Sequence, residues 1–468
     1  MTNLSNSPHG THLHGADAAP RLATAGKTDS LGQGPRPASR APRGGESDER
    51  VSLGSKGAGI VVHDYCGHPF QIQLSRELAR RGHRVLHLHC GSFRTGKGAV
   101  GIPEPRLTVE AITLSREFAR YSSWTRVRQE REYGRRASER IRGFSPDVVI
   151  SANTPLIAQR ILLAETKRSG SRFVFWQQDV LGTGIKRVLE RRYPFFGGLI
   201  GRRFVALERS ILRGSDAVVA ISPGFLPVLE SMGLPSDKTH VVENWAPIDE
   251  LPQRPRDNPW ARRHGLTDRR VLLYSGTLGL KHDPAVLASL ARAVRRLGDV
   301  DVVVVSEGRG ADWLLRRRND EGLDNLRVLP FQPYADLPDV LASADILLAL
   351  LEADAGTFSV PSKVLSYLCA GRPLLAAIPP DNLAADVIRR SNGGVLAQAG
   401  DTEGFVAGAI RLLENPALRS ALGRHGRVYA EESFDVKRIG EAFEQILFQP
   451  RHPQTGHIEP DSTKVRNG

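Results

Sequence analysis

Short apolar runs alternate along this chain with longer segments whose apolar residues recur at helical spacing. The first apolar run is followed by a loop at residues 64–69 and by a helical pattern carrying Phe70, Leu74 and Leu78, which ends at Gly82. In the first half the runs predict strands near residues 58–62, 84–89, 147–151, 172–176, 216–221 and 240–242. Strands separated by helix-length segments predict a parallel, doubly wound α/β sheet.

A second series of the same kind begins after a proline-rich break. Its apolar runs predict strands at residues 271–275, 301–306, 326–329, 346–350 and 374–378. We therefore predict two Rossmann-like domains, at residues 56–248 and 269–432, joined by a linker at residues 249–268. Ligands of such sheets lie beyond the carboxyl ends of the strands, so the loops at residues 64–69, 276–283, 306–311 and 352–363 should face one interdomain cleft.

The two ends of the chain differ from this pattern. Residues 1–55 consist mainly of Gly, Pro, Ser, Ala and Arg, a composition that cannot repay the entropy of ordering, so we predict a disordered tail there and a second one at residues 449–468. The first fifty residues lack the apolar core of a signal peptide, and no apolar run is long enough to span a bilayer. Contact with a membrane would therefore be contact with its surface.

Composition supports two globular domains in a reducing compartment. A chain of 468 residues with 40% apolar residues can fill two cores. The three cysteines, Cys66, Cys90 and Cys369, show neither the number nor the spacing of a disulfide framework or a zinc site, which predicts a cytoplasmic protein.

The net charge of +13 is concentrated in two arginine-rich segments, Arg116 to Arg142 and Lys186 to Arg213. The second segment interleaves aromatic and aliphatic residues with arginines, which is typical of a segment that lies against anionic lipid. A solvated helix whose apolar residues belong to the core explains the same pattern. Nucleic acid is not expected, because the chain has neither an aromatic RNA-binding strand signature nor zinc-finger spacing.

Two later stretches, Tyr274 to Pro284 and Ser359 to Pro373, place small residues and a lysine where a strand or loop meets a helix. Unpaired backbone N–H groups at a helix start, together with a lysine, form an anion site, so both stretches predict contacts with a diphosphate. Lys363 follows Pro361 and Ser362 at a predicted helix start, and Lys281 follows the loop. Surface lysines beside tight turns are the alternative interpretation. The residues predicted to form the diphosphate loop are Gly276, Thr277 and Gly279.

Several ordered motifs, covering roughly residues 58–448, resemble the fourth family of retaining glycosyltransferases, in particular its branch that builds bacterial surface polysaccharides. The motifs are Gly67 to Gln71, Val241 to Trp245, Ser275 to Gly279, Ser343 to Asp345, and Ser359 to Lys363 with Ala370 to Pro373. The resemblance implies a GT-B fold of two facing Rossmann-like domains, a nucleoside-diphosphate-sugar donor bound by the second domain, and a last helix, residues 433–448, that crosses back to the first. It also implies transfer to a glycan acceptor, with a polyprenyl-diphosphate-linked glycan at the inner membrane face as our expectation.

One departure from the family concerns two glutamates that contact the donor. Alignment on Ala370 to Pro373 places them at Phe358 and Ser366, neither of which is acidic. The resemblance places the Glu307–Gly308 loop near the nucleotide, where Glu307 could bond a ribose hydroxyl in place of the glutamate missing at Ser366. A solvated loop glutamate is the alternative.

In the first domain, Gly67 and His68 end the first loop, and Asp179 follows a strand. His68 could orient the acceptor or the transferred sugar, although a histidine in a turn is more often structural, and Asp179 could accept a proton from the acceptor hydroxyl. A degenerate GT-B protein that binds a nucleotide sugar or a partner transferase without catalysis remains open, as does an epimerase, for which no acid and base set is evident. No cofactor and no metal are expected.

Overall fold

The computed structural model describes residues 57–92, 98, 100–115, 123–152, 154–279, 282–352 and 362–450, with the side chains of residues 123 and 124 excepted. The predicted tail at residues 1–55 lies outside the described residues, as does nearly all of the predicted tail at residues 449–468. Two parallel sheets organise the described part of the chain.

The first sheet has seven strands and the order β3-β2-β1-β4-β5-β6-β7. Its strands are β1 (Gly59–Asp64), β2 (Arg84–Cys90), β3 (Leu107–Ile112), β4 (Val148–Ala152), β5 (Arg172–Gln177), β6 (Ala217–Ala220) and β7 (Thr239–Val241). The second sheet has six strands and the order β10-β9-β8-β11-β12-β13. Its strands are β8 (Arg270–Ser275), β9 (Val300–Val305), β10 (Leu326–Leu329), β11 (Ile346–Leu350), β12 (Leu374–Ala377) and β13 (Gly394–Ala397). The predicted doubly wound α/β class is confirmed.

Helices occupy most connections between these strands. Those around the first sheet are α1 (Pro69–Arg80), α2 (Ser123–Phe144), α3 (Leu156–Arg168), α4 (Leu181–Arg192), α5 (Gly197–Gly214) and α6 (Leu226–Ser231). The later helices are α7 (Pro259–Arg263), α8 (Pro284–Val294), α9 (Arg309–Glu321), α10 (Leu337–Ala342), α11 (Lys363–Cys369), α12 (Leu383–Ser391), α13 (Thr402–Glu414), α14 (Pro416–Ser433) and α15 (Val436–Leu447).

Two strands escape the sequence prediction, and both lie at sheet edges. β3 pairs only with β2, and most of its residues are partly or fully exposed, so its apolar pattern is weak. β13 is four residues long, begins with Gly394 and is half-buried along its length. An edge strand needs fewer apolar residues because one side of it lacks a neighbouring strand.

The last helix packs against the first sheet's side of the molecule. Gly440 of α15 lies against α1, where a Cβ atom would come within 2.6 Å of Glu77. Glu444 pairs with Arg81 at 2.5 Å and with His83 at 2.7 Å. The Phe443 ring joins a buried aromatic cluster formed with Phe70, Trp176 and Trp245.

The segment predicted as a linker is packed rather than extended. Asn258 caps α7 by accepting a hydrogen bond from the Ala261 N–H at 2.9 Å, and its amide donates to the Asp339 carbonyl at 3.0 Å. The Trp260 ring is fully buried, and its Nε1 donates to Gln332. This segment is therefore part of the second half's core.

Candidate functional site

The loop after β8 is the centre of the candidate site. Gly276 has φ +132°, a conformation that favours glycine, and its N–H donates to the Val305 carbonyl at the end of β9. The Tyr367 hydroxyl holds the residue before it, because it accepts from the Ser275 N–H at 2.9 Å and donates to the Ser275 carbonyl at 3.0 Å. The start of the loop is thus held by hydrogen bonds to β9 and to α11.

Most backbone amides of this loop have protein partners, which corrects part of the sequence-based expectation. The Leu278 N–H donates to Ser306 Oγ at 3.2 Å, and the Gly279 N–H donates to His282 Nδ1 at 3.2 Å. Thr277 is exposed, its carbonyl accepts from the Tyr274 hydroxyl, and its amide has no hydrogen-bond partner in the described part of the chain. A diphosphate would therefore meet one open amide here instead of a row of them.

Lys363 points its ammonium group at the same loop. Its Nζ lies 3.7 Å from the centre of the Tyr274 ring, and a Cβ atom on Gly276 would lie 3.2 Å from it. The Nζ atom is buried and has no hydrogen-bond partner among the described residues, and this burial lowers the pKa of Lys363 to about 7. A buried amine without a hydrogen-bond partner lowers the stability of the folded protein. Groups held in such an unfavourable environment are typical of sites that bind an anion.

Helix α11 itself contributes less than the sequence suggests. It has only seven residues, begins at Lys363, and its N-cap residue Ser362 makes no side-chain capping hydrogen bond. An anion at this place would therefore meet the Lys363 side chain rather than the end of a long helix. Ser362 is exposed, and Ser366 is partly exposed one turn further along the helix.

The loop after β9 lies beside the glycine loop. Gly310 packs so closely under Leu278 that a Cβ atom on it would come within 2.7 Å of the Leu278 Cβ. Glu307 is exposed and accepts a hydrogen bond from the Phe331 N–H at 3.1 Å, and Gly308, with φ +95°, precedes the first turn of α9. The structure thus brings the Gly276 loop, Lys363 and the start of α9 into one neighbourhood.

In the first half, Asp64 organises the predicted Gly67–His68 loop. Its buried carboxylate accepts from the Cys66 N–H at 3.0 Å and from the His68 N–H, and it lies 3.5 Å from His68 Nδ1. Burial works against ionisation, but the contacts with His68 hold the pKa of Asp64 below its usual value. His68 therefore has a structural partner on one side, and 31% of its side chain remains exposed on the other.

Asp179 lies in the connection between β5 and α4, which is hydrogen-bonded to the segment that follows β7. The neighbouring Gln178 and Asn244 exchange two side-chain hydrogen bonds, of 2.6 and 3.2 Å. Asn244 and Leu365 of α11 line the same cavity of about 160 Å³. The Asp179 connection and the Lys363 helix thus approach the same residue from the two halves.

Two predicted positions, Lys281 and Phe358, lie outside the described residues. Sequence patterns do not single out Tyr274, Tyr367 or Asp64, which form the surroundings of the candidate residues. Tyr274 ends an apolar strand and Tyr367 lies on a buried helix, so both have the pattern of core residues, and only their hydroxyl contacts show a second role. Within the described ranges, no three His, Cys, Asp or Glu side chains are grouped so that they could hold a metal ion.

Models of two glycosyltransferase domains match the chain. The glycosyl transferase 4-like domain matches residues 71–245, and the glycosyl transferases group 1 domain matches residues 269–415. With the two parallel sheets, these matches define a glycosyltransferase of the GT-B class. More particularly, the chain belongs to the fourth glycosyltransferase family, as its motifs indicated.

Among curated proteins, the chain is similar to WcaI of Escherichia coli (strain K12), which is named as a colanic acid biosynthesis glycosyl transferase. The two are 25% identical over 64% of this chain and 74% of WcaI. It is also 25% identical to a GDP-mannose-dependent phosphatidylinositol monomannoside mannosyltransferase of Corynebacterium glutamicum, over 42% of this chain and 52% of that protein.

Solved structures show the same fold at low sequence identity. Anabaena HepE in complex with UDP and glucose aligns with a TM-score of 0.63 and 16% identity, over 83% of this chain and 99% of HepE. WaaG, a glycosyltransferase involved in lipopolysaccharide biosynthesis, aligns with a TM-score of 0.62 and 16% identity, over 84% of this chain and 100% of WaaG. The predicted GT-B fold is confirmed.

None of the helices in the described ranges combines the length and the apolarity of a bilayer-spanning segment.

Proposed function

We propose that this glycosyltransferase moves a sugar from a nucleoside diphosphate to a lipid-linked glycan in the assembly of a surface polysaccharide, with retention of the anomeric configuration. The observation that carries the donor assignment is the buried amine of Lys363, which faces the Gly276 loop without a hydrogen-bond partner among the described residues. WcaI is named for colanic acid biosynthesis, and the corynebacterial relative is named for a phosphatidylinositol acceptor. The corynebacterial name supports a lipid-linked acceptor.

The chemistry requires charge stabilisation more than proton transfer. As the glycosidic bond to the donor breaks, negative charge develops on the leaving diphosphate and positive charge on the sugar ring. Lys363 would stabilise the diphosphate, and the Thr277 amide could donate to it. In the other half, His68 would orient the sugar or the acceptor, and Asp179 would accept a hydrogen bond from the acceptor hydroxyl. No step in this scheme uses a cofactor or a metal.

A second candidate, a nucleotide-sugar-binding protein without catalysis, is favoured by one observation. The α11 position at which the family has its ribose-contacting glutamate is Ser366, which carries no charge.

The test is an assay of purified protein with labelled UDP-, GDP- and dTDP-sugars, with and without membranes that contain lipid-linked glycans. Nucleotide release together with label in the lipid fraction from one donor is expected, and NMR of the product would report the anomeric configuration. Thermal protection by a nucleotide sugar without release or transfer from any donor would favour the binding protein instead.

Donor affinity should fall as pH rises above about 7. Burial holds the Lys363 pKa near 7, so at higher pH the free protein carries a neutral amine, whereas the bound diphosphate favours the ammonium form. Binding must then take up a proton, and affinity should decrease by up to about tenfold per pH unit until the pKa of the complex is reached.

Isothermal titration calorimetry in buffers of different ionisation enthalpy would measure this proton uptake directly. Lys363→Met should bind the donor with little pH dependence, and Lys437→Ala, at an exposed lysine of α15, should behave as the parent protein. Equal pH dependence in the parent and in Lys363→Met would show that another group takes up the proton.

A further inference from the structure

The connection between β5 and β6 contains two helices where one would suffice. Helix α5 returns the chain to the amino end of β6, and α4 is an additional helix packed antiparallel against it. Leu181 and Gly182, at the start of α4, donate backbone hydrogen bonds of 2.9 Å each to the Glu208 carboxylate of α5. We call α4 and α5 the α4–α5 hairpin, its end at Leu181, Gly182 and Glu208 the base, and the turn at residues 193–196 the tip. Since twelve helical residues span roughly 18 Å, the tip lies about that far from the base.

The two helices touch along their length through three glycines. A Cβ atom on Gly182 would lie 2.9 Å from the Val205 Cα, one on Gly201 would lie 2.7 Å from the Lys186 Cα, and one on Gly197 would lie 2.1 Å from the Leu189 carbonyl oxygen. Contacts this short leave no room for side chains between the helices. The α4–α5 hairpin is therefore a rigid projection.

The tip of this hairpin exposes large apolar side chains. Phe195 is 92% exposed and Phe196 is 71% exposed. Four further apolar residues near the tip are also exposed: Val188, Tyr193, Leu199 and Ile200. Six large apolar side chains exposed within thirteen residues indicate a surface that is covered in use.

The charges around the tip identify what covers it. Between residues 181 and 203 there are six basic residues, Lys186, Arg187, Arg191, Arg192, Arg202 and Arg203, against one acidic residue, Glu190. Basic groups beside an aromatic tip complement a surface whose interior is apolar and whose headgroups are negative. An anionic phospholipid bilayer has both properties.

The base of the hairpin lies at the candidate acceptor side of the protein. Asp179 is two residues before the start of α4, and its charge acts on Glu208, the buried carboxylate that holds the base. Asp179 follows the carboxyl end of β5, which is the ligand edge of a parallel sheet. A tip held in a membrane would therefore set the distance between the bilayer and Asp179.

We infer that the α4–α5 hairpin inserts Phe195 and Phe196 into anionic bilayers, with the surrounding arginines at the headgroups, and so delivers a lipid-linked acceptor to the Asp179 side. The delivery part rests on the proposed function, whereas bilayer insertion does not.

Flotation of the full chain with phosphatidylcholine vesicles, with and without phosphatidylglycerol, tests insertion. The parent should float with the anionic vesicles, and Phe195→Ser/Phe196→Ser should bind them at least about tenfold more weakly. Leu226→Ser/Val428→Ser, which changes two exposed apolar residues elsewhere, should float as the parent does. Replacing Arg191, Arg192, Arg202 and Arg203 by Gln should remove the preference for phosphatidylglycerol and the sensitivity to salt.

Delivery is tested by comparing acceptors. The tip variant should lose transfer to a lipid-linked glycan in vesicles but keep both transfer to a short-chain acceptor in detergent and thermal protection by the donor. The inference would be overturned if the variant Phe195→Ser/Phe196→Ser floated with vesicles as the parent does. It would also be overturned if sedimentation velocity showed that the parent is a dimer and that this variant is not, because a second copy of the chain would then cover the exposed side chains. A parent that floats but transfers nothing would refute the proposed function and leave insertion standing.

Discussion

Lys363→Ala should lower the turnover number for sugar transfer by roughly 10²–10³-fold, the usual effect of removing one donor that stabilises charge in a transition state. The Lys363 amine faces the Gly276 loop, where we propose that the diphosphate leaves, and the described residues offer it no hydrogen-bond partner. Because its contact strengthens as the leaving group gains charge, turnover should fall more than the Michaelis constant rises.

Removal of the Lys363 amine by substitution with methionine should not destabilise the free protein. Lys363→Met would keep an unbranched side chain over the Tyr274 ring while removing a buried amine whose burial disfavours its charge. Its melting temperature should therefore equal or exceed that of the parent, while turnover falls as it does for Ala. This opposite movement of stability and activity separates a functional lysine from a structural one.

Steady-state kinetics with the donor that the panel of labelled nucleotide sugars identifies, together with thermal unfolding, measure both effects. Lys437→Ala serves as the matched control and should leave both quantities unchanged. If Lys363→Met retained the parent's turnover, the assignment of Lys363 to the diphosphate would be wrong.

Trp245→Ala should lower the free energy of unfolding by about 3–5 kcal/mol, the range found for removal of a large buried aromatic side chain. The Trp245 ring stacks on Trp176 at 5.8 Å between centroids and meets Phe70 edge-on at 5.3 Å. Its Nε1 donates to the buried Gln73 amide oxygen at 2.7 Å, so the substitution would also leave that group without this partner.

Denaturant unfolding followed by far-UV circular dichroism would measure this loss. Trp313→Ala, at a partly exposed tryptophan of α9, should cost no more than about 1 kcal/mol. A similar cost for both variants would mean that the aromatic cluster contributes no special stability. Because Asn244 holds the Gln178 side chain beside Asp179, Trp245→Ala should also impair transfer in the fraction that remains folded.

The buried strands could be predicted from the sequence because burial on both faces leaves a mark in each of them. Strand β9, for instance, has Asp301 as the one polar residue among its six, and every position of the strand is buried. The edge strands β3 and β13 were not predicted, because most of their residues are partly or fully exposed and their apolar pattern is therefore weak. Gly276 and Lys363 could be singled out because a glycine-containing loop and a lysine at a helix start together form the local pattern of an anion site.

The side chains that surround these residues could not be predicted from the sequence. Asp64 beside His68, Glu208 beneath Asp179 and the Tyr274 ring under Lys363 are contacts between segments, and the residue types involved are common in structural roles. The same limit applies to the arginine-rich segment from Lys186 to Arg213. Its composition left a membrane segment and a solvated helix equally open, and only the structure shows that Phe195 and Phe196 are exposed and are not core residues.

The sequence by itself determined the fold class, the order of the buried strands and the family, because these depend on local periodicity and on short motifs. Only the tertiary structure decided that the Lys363 amine is buried without a hydrogen-bond partner among the described residues. It also decided that most amides of the glycine loop already have hydrogen-bond partners, and that two helices expose an aromatic tip. The physical reason is that the burial of an atom, and hence its pKa and its need for a partner, depends on neighbours that are distant in the chain.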